Sequence, residues 1–216
     1  SESHIRQKLK NIKAFVLDQD GTTYLEYQPF PWTCDFLHGL KKRGVDYMFL
    51  SNNSSKSKEE HLQKLRSLGI EVQPRQILSS GEATMEYLQS LPDSQDIYLL
   101  ATPKVEQDFI NAGFNIHSQN PSYVVLAYDL TLTFDKLDKA CRYIRNGIPF
   151  IATHEDNNWM ITPTDHRPDV GAIAAAITAS TKVKPKFIGK PNREMVNAFL
   201  KRLKLDKSEV AIVGDR

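Results

Sequence analysis

Short apolar runs alternate with longer amphipathic runs along most of the chain. The apolar runs that have the length of a strand are residues 14–18, 47–52, 97–101, 123–127, 149–153, 186–189 and 210–214. Most are separated by helical patterns, such as residues 134–147 and a helix that begins near Ser57, where Ser57 and Glu60 fit a capping box. This alternation predicts an α/β fold with mainly parallel strands.

The composition narrows the class of protein. The chain has 216 residues, 40% of them hydrophobic, which is enough for one sizeable core or two modest ones. Its net charge of +2 gives no overall basic field for nucleic acid. The sequence has neither a membrane-spanning apolar run nor an apolar signal core at its start. We therefore expect a soluble cytoplasmic protein whose partners are neither nucleic acid nor membrane.

The first apolar run ends in two acids, Asp18 and Asp20, followed by Gly21. If the backbone stays extended, the two carboxylates point to the same side of the strand. Burying two like charges costs several kcal/mol, so the pair needs a cation, a proton or water. On these residues alone a solvated turn remains open, because Asp and Gly are ordinary turn residues.

Polar residues also follow three other apolar runs. Ser51 and Asn52 close the second run, Lys190 lies between a glycine and a proline, and Asp215 follows the last run. Each feature alone is typical of a turn or of a solvated surface charge. Ligand sites of α/β sheets lie at the carboxyl ends of strands, so together these residues predict a site for a phosphate and a divalent cation.

The acids suit metal-assisted phosphoryl chemistry. Mg²⁺ prefers oxygen ligands, and Asp18, Asp215 and the backbone carbonyl of Asp20 supply them. A carboxylate can attack phosphorus, which suits Asp18. A second acid can protonate the leaving oxygen and later activate water, which suits Asp20.

The remaining polar residues suit phosphate binding. Ser51, Asn52 and backbone N–H groups near Gly21 are donors for phosphate oxygens. Lys190 offsets negative charge on the nucleophile and on the transferring phosphoryl group.

These residues resemble four motifs, in the same order, of the haloacid dehalogenase superfamily of phosphatases. The motifs are DQDGT (18–22), SNN (51–53), the lysine of GKP (189–191) and GDR (214–216). The resemblance covers nearly the whole chain and is closest to the branch with the p-nitrophenyl phosphatases and the N-acetylglucosamine-operon phosphatase. It implies Asp18 as nucleophile, Asp20 as general acid and base, and the magnesium and phosphate ligands named above.

The resemblance also implies a domain organisation. A Rossmann-like core with a parallel sheet is expected from residues 1–81 and 184–216, with an α/β cap domain inserted over 82–183. The family pattern continues beyond the GDR motif with further strands and a helix, so we expect the chain to be truncated there.

The implied function is Mg²⁺-dependent hydrolysis of a small phosphomonoester, such as a sugar phosphate or a nucleotide, through an aspartyl-phosphate. In the cap, Asn158, Trp159 and Arg167 are the candidates for contacting the leaving group; they fall in a stretch with the character of a loop. A phosphomutase or phosphotransferase, or a non-catalytic phosphate binder on the same scaffold, remains an alternative. The oligomeric state stays open, and a homodimer is compatible with both the residues and the resemblance.

Overall fold

The structure, a computed structural model, describes residues 2–19, 24–25 and 28–214. The helices are α1 (Glu2–Leu9), α2 (Thr33–Lys42), α3 (Lys58–Ser67), α4 (Ser80–Gln89), α5 (Pro103–Asn111), α6 (Phe134–Arg145), α7 (Val170–Thr181) and α8 (Arg193–Leu203). The strands are β1 (Ala14–Asp18), β2 (Tyr24–Leu25), β3 (Gln28–Pro29), β4 (Asp46–Ser51), β5 (Ile77–Ser79), β6 (Ile97–Leu100), β7 (Tyr123–Leu126), β8 (Phe150–Ala152), β9 (Asn158–Thr162), β10 (Asp165–Pro168), β11 (Lys186–Phe187) and β12 (Val210–Val213). The predicted α/β alternation is confirmed.

The chain divides into two compact units. The first comprises residues 1–51, 59–78 and 197–216, and the second comprises 52–58 and 79–196. The expected cap region, residues 82–183, lies wholly in the second unit. The exact boundary between core and cap stays a prediction.

The first unit is built on a four-stranded sheet in the order β12-β1-β4-β5. Strand β1 runs parallel to both neighbours, with Leu17 opposite Val213 on one side and Asp18 opposite Leu50 on the other. Apolar side chains of the sheet and of helices α2 and α3 form its core, with Phe49 completely buried. Because β1 and β4 are adjacent and parallel, Asp18 and Ser51 lie at the same edge of this sheet.

The second unit contains a parallel sheet in the order β11-β8-β7-β6. Its core joins buried side chains of β6, β7 and β8 to apolar side chains of α6 and α7, such as Ile144 and Ile177. A two-stranded antiparallel hairpin, β9-β10, interrupts the alternation. A loop was expected over this stretch, and that expectation was wrong. No apolar pattern marks β10, because each of its residues is exposed.

Within the described residues, no helix combines the length and the apolar character that crossing a bilayer requires.

Candidate active site

Asp18 is the last residue of β1 and lies opposite Leu50 in the neighbouring strand. The pairing continues for one more residue, because the Gln19 N–H donates a hydrogen bond to the Leu50 carbonyl at 3.0 Å. Ser51, the last residue of β4, is buried, with 3% of its surface exposed. The first unit therefore places the predicted nucleophile and a predicted phosphate ligand at the ends of adjacent strands.

Gly214, directly after β12, lies against the Asp18 carboxylate. A Cβ atom on Gly214 would lie 2.7 Å from Oδ2 and 3.3 Å from Cγ of Asp18. Non-bonded carbon and oxygen atoms do not approach as closely as 2.7 Å, so any side chain at this position displaces one of the two residues. The backbone at the start of the GDR motif thus contacts the predicted nucleophile directly.

Three predicted site residues, Asp20, Gly21 and Asp215, lie outside the described residues. Their predicted roles in catalysis, phosphate binding and metal binding stay predictions.

In the second unit, Asn52 and Lys190 are in contact although they are 138 positions apart in the chain. The Lys190 N–H donates to Asn52 Oδ1 at 3.0 Å, and Asn52 Nδ2 donates to the Lys190 carbonyl at 3.2 Å. The side-chain amide of Asn52 thereby pairs with the backbone of Lys190 as a neighbouring strand would. The structure brings the SNN and GKP motifs together, and it places Lys190 by its backbone.

Gly189 makes this close pairing sterically possible. A Cβ atom here would lie 2.6 Å from Asn52 Oδ1, 2.7 Å from the Thr153 carbonyl oxygen and 2.9 Å from the Cβ atom of His154. The Gly189 N–H donates to that same Thr153 carbonyl. Gly189, the glycine of GKP, therefore fits between Asn52 and Thr153, the residue after strand β8, because it has no side chain.

Asp156 joins the Asn52–Lys190 pair. Asn52 Nδ2 donates a second hydrogen bond to Asp156 Oδ2 at 3.3 Å. The contact between Asp156 and Asn52 was not predicted, because the two residues are 104 positions apart and neither lies in a pattern that points to the other.

His154 is completely buried and sits in a polar network beside Gly189. Its Nε2 lies 2.7 Å from Asp169 Oδ1, and its Nδ1 lies 3.0 Å from Thr153 Oγ1 and 3.3 Å from Ser80 Oγ. The Ser-His-Asp sequence of contacts resembles a hydrolase triad. Ser80 is also completely buried and donates its hydroxyl hydrogen to the Asn52 carbonyl at 2.8 Å, so it is a structural residue and not a nucleophile.

His154, Asp156 and Asp169 also form a group whose ligand atoms lie within 4.8 Å of one another, close enough to hold a metal ion. The His154 and Asp169 atoms bond directly to each other, and Asp156 already accepts from Asn52. Each of the three residues therefore already makes a hydrogen bond to another side chain.

The three cap candidates lie on the β9-β10 hairpin. Arg167 pairs in register with Trp159, and its guanidinium carbon lies 6.0 Å from the centre of the indole ring. Trp159 packs against the second unit's core and meets the Tyr128 ring edge-on at 6.2 Å. Burial raises the pKa of Tyr128, which therefore stays neutral, and its hydroxyl donates to the Pro168 carbonyl. Asn158, in contrast, is exposed.

Comparison with known proteins identifies the family to which the chain is similar. The sequence model of a family described as haloacid dehalogenase-like hydrolases matches residues 15–115. An acid sugar phosphatase of Staphylococcus aureus strain USA300 is 34% identical over 210 residues, which cover 96% of this chain and 80% of the relative.

Two solved structures have folds that are similar to the fold of this chain. A 4-nitrophenylphosphatase from Thermotoga maritima is 39% identical with a TM-score of 0.91, and the match covers 97% of this chain and 80% of that one. NagD from E. coli K-12 is 27% identical with a TM-score of 0.87, and the match covers 95% of this chain and 80% of that one.

Proposed function

The chain belongs to the haloacid dehalogenase-like hydrolases, and on that basis we propose that it is a Mg²⁺-dependent phosphatase of small phosphomonoesters. Its substrates are sugar phosphates, nucleotides or similar metabolites, and it also accepts aryl phosphates. One observation carries the proposal: the Asp18 carboxylate lies at the end of β1, next to the end of β4 and against the backbone of Gly214. The names of the similar proteins, an acid sugar phosphatase and a 4-nitrophenylphosphatase, support the same reaction class.

Asp18 carries the first half of the reaction. One of its carboxylate oxygens bonds to phosphorus while the bond from phosphorus to the leaving-group oxygen breaks. Asp20, in its protonated form, donates its proton to that oxygen, and the alcohol departs. The phosphoryl group is then held on Asp18 as an acyl phosphate.

In the second half of the reaction, Asp20 acts as a base and takes up a proton instead of donating one. Its carboxylate takes a proton from a water molecule as the water oxygen attacks phosphorus. The bond between phosphorus and Asp18 breaks, inorganic phosphate leaves, and both aspartates return to their starting states. One ester and one water thereby give one alcohol and one phosphate.

The phosphate is bound by Ser51, Asn52, Lys190 and the backbone at Gly21. The amide of Asn52 already meets the Lys190 backbone, so we assign its backbone N–H, and not its side chain, to the phosphate. The Lys190 ammonium offsets the charge that accumulates during transfer, which is the usual role of a lysine in phosphoryl transfer.

The donor set fits Mg²⁺. Asp18 offers carboxylate oxygens at the end of a strand, and hard oxygen atoms are the ligands that this ion prefers. Asp18, the Asp20 carbonyl and Asp215 would hold the ion. When bound, it neutralises part of the negative charge that otherwise keeps a carboxylate and a phosphate apart.

Release of p-nitrophenol from p-nitrophenyl phosphate tests the proposal. We expect turnover that requires Mg²⁺, stops with EDTA, and falls by about a thousandfold or more in Asp18→Asn, because an amide is not a nucleophile here. Asp35→Asn, an exposed carboxylate on α2, makes the same chemical change in the same unit. It should stay within about twofold of the unsubstituted chain.

The outcomes separate the alternatives. Folded protein that binds phosphate or vanadate but turns over no phosphomonoester would contradict the proposal and favour the non-catalytic binder. Transfer of the phosphoryl group to an added sugar hydroxyl in preference to water would favour the mutase or transferase.

A further inference from the structure

We propose that Asp156 is a positioning residue for Lys190, acting through the side-chain amide of Asn52. The inference rests on the proposed function, since it assigns a role within the same phosphate site. It concerns a carboxylate that no motif contains and that contacts the SNN and GKP motifs through one hydrogen bond.

The orientation of the Asn52 amide is fixed by its partners. Its oxygen must face the Lys190 N–H, which can only donate, and its nitrogen then faces the Lys190 carbonyl and Asp156, which can only accept. A flipped amide would set two donors against each other at Lys190 and two acceptors against each other at Asp156. Asp156 therefore favours the one rotamer that holds both backbone groups of Lys190.

A carboxylate suits this position better than a neutral acceptor. Hydrogen bonds to an ionised group are shorter and about twice as strong as neutral ones. Asp156 is partly buried, so water competes less for its oxygen. The charge thus adds to the stability of the Asn52–Lys190 pairing.

The loop that carries Asp156 is itself held in place. The Asp156 carbonyl accepts from the Gly171 N–H at 2.8 Å, and the Asn157 carbonyl accepts from the Asp169 N–H at 2.9 Å. A Cβ atom on Gly171 would collide with this loop, lying 2.8 Å from the Asp156 carbonyl oxygen. On the other side, the buried His154–Asp169 pair fixes the start of the loop. These contacts present the Asp156 carboxylate in one place.

We expect the loss of the Asp156 contact to lower kcat and to change KM little. With both its N–H and its carbonyl held, Lys190 projects its side chain from a fixed backbone. The Lys190 ammonium stabilises negative charge that develops during phosphoryl transfer. A less rigid Lys190 backbone should therefore reduce the stabilisation of the transition state more than the binding of the substrate.

Kinetics of three variants test the contact. For p-nitrophenyl phosphate we expect kcat to fall about tenfold in Asp156→Ala, with KM changed less than about threefold, the loss expected for one hydrogen bond to a charged group. Asp156→Asn keeps a neutral acceptor oxygen and should recover part of that loss, leaving kcat about threefold below that of the unsubstituted chain. Glu155→Ala removes the exposed carboxylate of the preceding residue and should match the unsubstituted chain.

Hydrogen exchange of the Lys190 amide measures the same contact without reference to turnover. We expect about tenfold faster exchange in Asp156→Ala than in Glu155→Ala, with amides of helix α6 unchanged in both. Faster exchange across α6 as well would indicate general loosening and would overturn the inference.

The two proposals fail in different ways. Unchanged kcat, or unchanged Lys190 exchange, in Asp156→Ala would overturn the positioning role while leaving the phosphatase assignment intact. An unsubstituted chain that shows no turnover would contradict the phosphatase assignment, and the exchange experiment would then judge the contact alone.

Discussion

Two glycines shape the candidate site through the space that they leave open. Gly214 lets the backbone after β12 lie against the Asp18 carboxylate, and Gly189 lets the backbone before Lys190 lie against Asn52. Neither glycine is required by an unusual backbone angle, since neither has a positive φ. Both are required by close approach, which is a property of the folded chain.

Gly214→Ala should lower kcat for p-nitrophenyl phosphate by about tenfold or more, because a 1 Å displacement of a catalytic group has effects of this size or larger. The added methyl would lie 2.7 Å from Asp18 Oδ2 and must push the carboxylate aside. Steady-state kinetics measure the effect.

Gly39→Ala is the matched control, because a Cβ atom there meets nothing within 4 Å. Gly39 lies inside helix α2, where alanine is favoured over glycine by about 1 kcal/mol, so this variant should keep kcat and gain stability. A Gly214→Ala enzyme with unchanged kcat would show that the Asp18 carboxylate tolerates displacement.

Part of the site could be predicted, because a polar residue at the end of an apolar run marks the carboxyl end of a strand. Asp18 and Ser51 each follow an apolar run, and parallel strands bring such ends to one edge of a sheet. Asn52 and Lys190 were predicted only as separate phosphate ligands, and the hydrogen bonds between them were not predicted. The roles of Asp156 and of the His154–Asp169 pair were not readable, because their partners are chosen by tertiary packing and not by local pattern.

Each of the seven apolar runs predicted as strands lies within about two residues of an observed strand. The predicted run 14–18 coincides with β1, and the helical pattern over 134–147 begins where α6 begins. Strand β5 was not predicted, although all three of its residues are buried. The β9-β10 hairpin was missed because its stability comes from few side chains, chiefly Trp159, which reaches the core of the second unit. Exposed strands of this kind carry little periodicity to read.

We expect two hairpin residues to have different roles: Trp159 packs against the core of the second unit, and Asn158 contacts the substrate. Trp159→Ala should destabilise the chain by about 2 kcal/mol, since it removes a partly buried ring that meets Tyr128 and Arg167. Asn158→Ala should leave stability unchanged and alter the ratio of kcat/KM values for a sugar phosphate and p-nitrophenyl phosphate. Thermal denaturation and paired kinetics measure both.

The converse result would reassign the hairpin. If Trp159→Ala kept its melting temperature and changed the substrate preference, the indole ring would be a substrate contact and not a packing residue.

At the scale of the whole molecule, the chain consists of two units with separate parallel sheets. The alternation of strands and helices predicted this class of fold, and the apolar content allowed two cores of modest size. The assignment of residues 82–183 as the cap stays a prediction, because a boundary depends on contacts that sequence patterns do not encode. The match to the Thermotoga maritima 4-nitrophenylphosphatase covers 97% of this chain and so includes residues of each unit.

If Asp18 is the nucleophile, a phosphoryl group is bonded to it during turnover, and a variant that stalls after the first step should trap that group. Asp20→Asn should still complete the first step with p-nitrophenyl phosphate, because p-nitrophenolate leaves without a proton. It should stall at the second step, for which it lacks the base.

After rapid mixing with Mg²⁺ and p-nitrophenyl phosphate and an acid quench, mass spectrometry of the peptide that contains Asp18 reports the outcome. We expect a burst of p-nitrophenol and one phosphoryl group on Asp18 in Asp20→Asn, and neither in the Asp18→Asn, Asp20→Asn double variant. Turnover by the unsubstituted chain without a burst or a phosphorylated Asp18 in Asp20→Asn would contradict the role of Asp18 as the nucleophile.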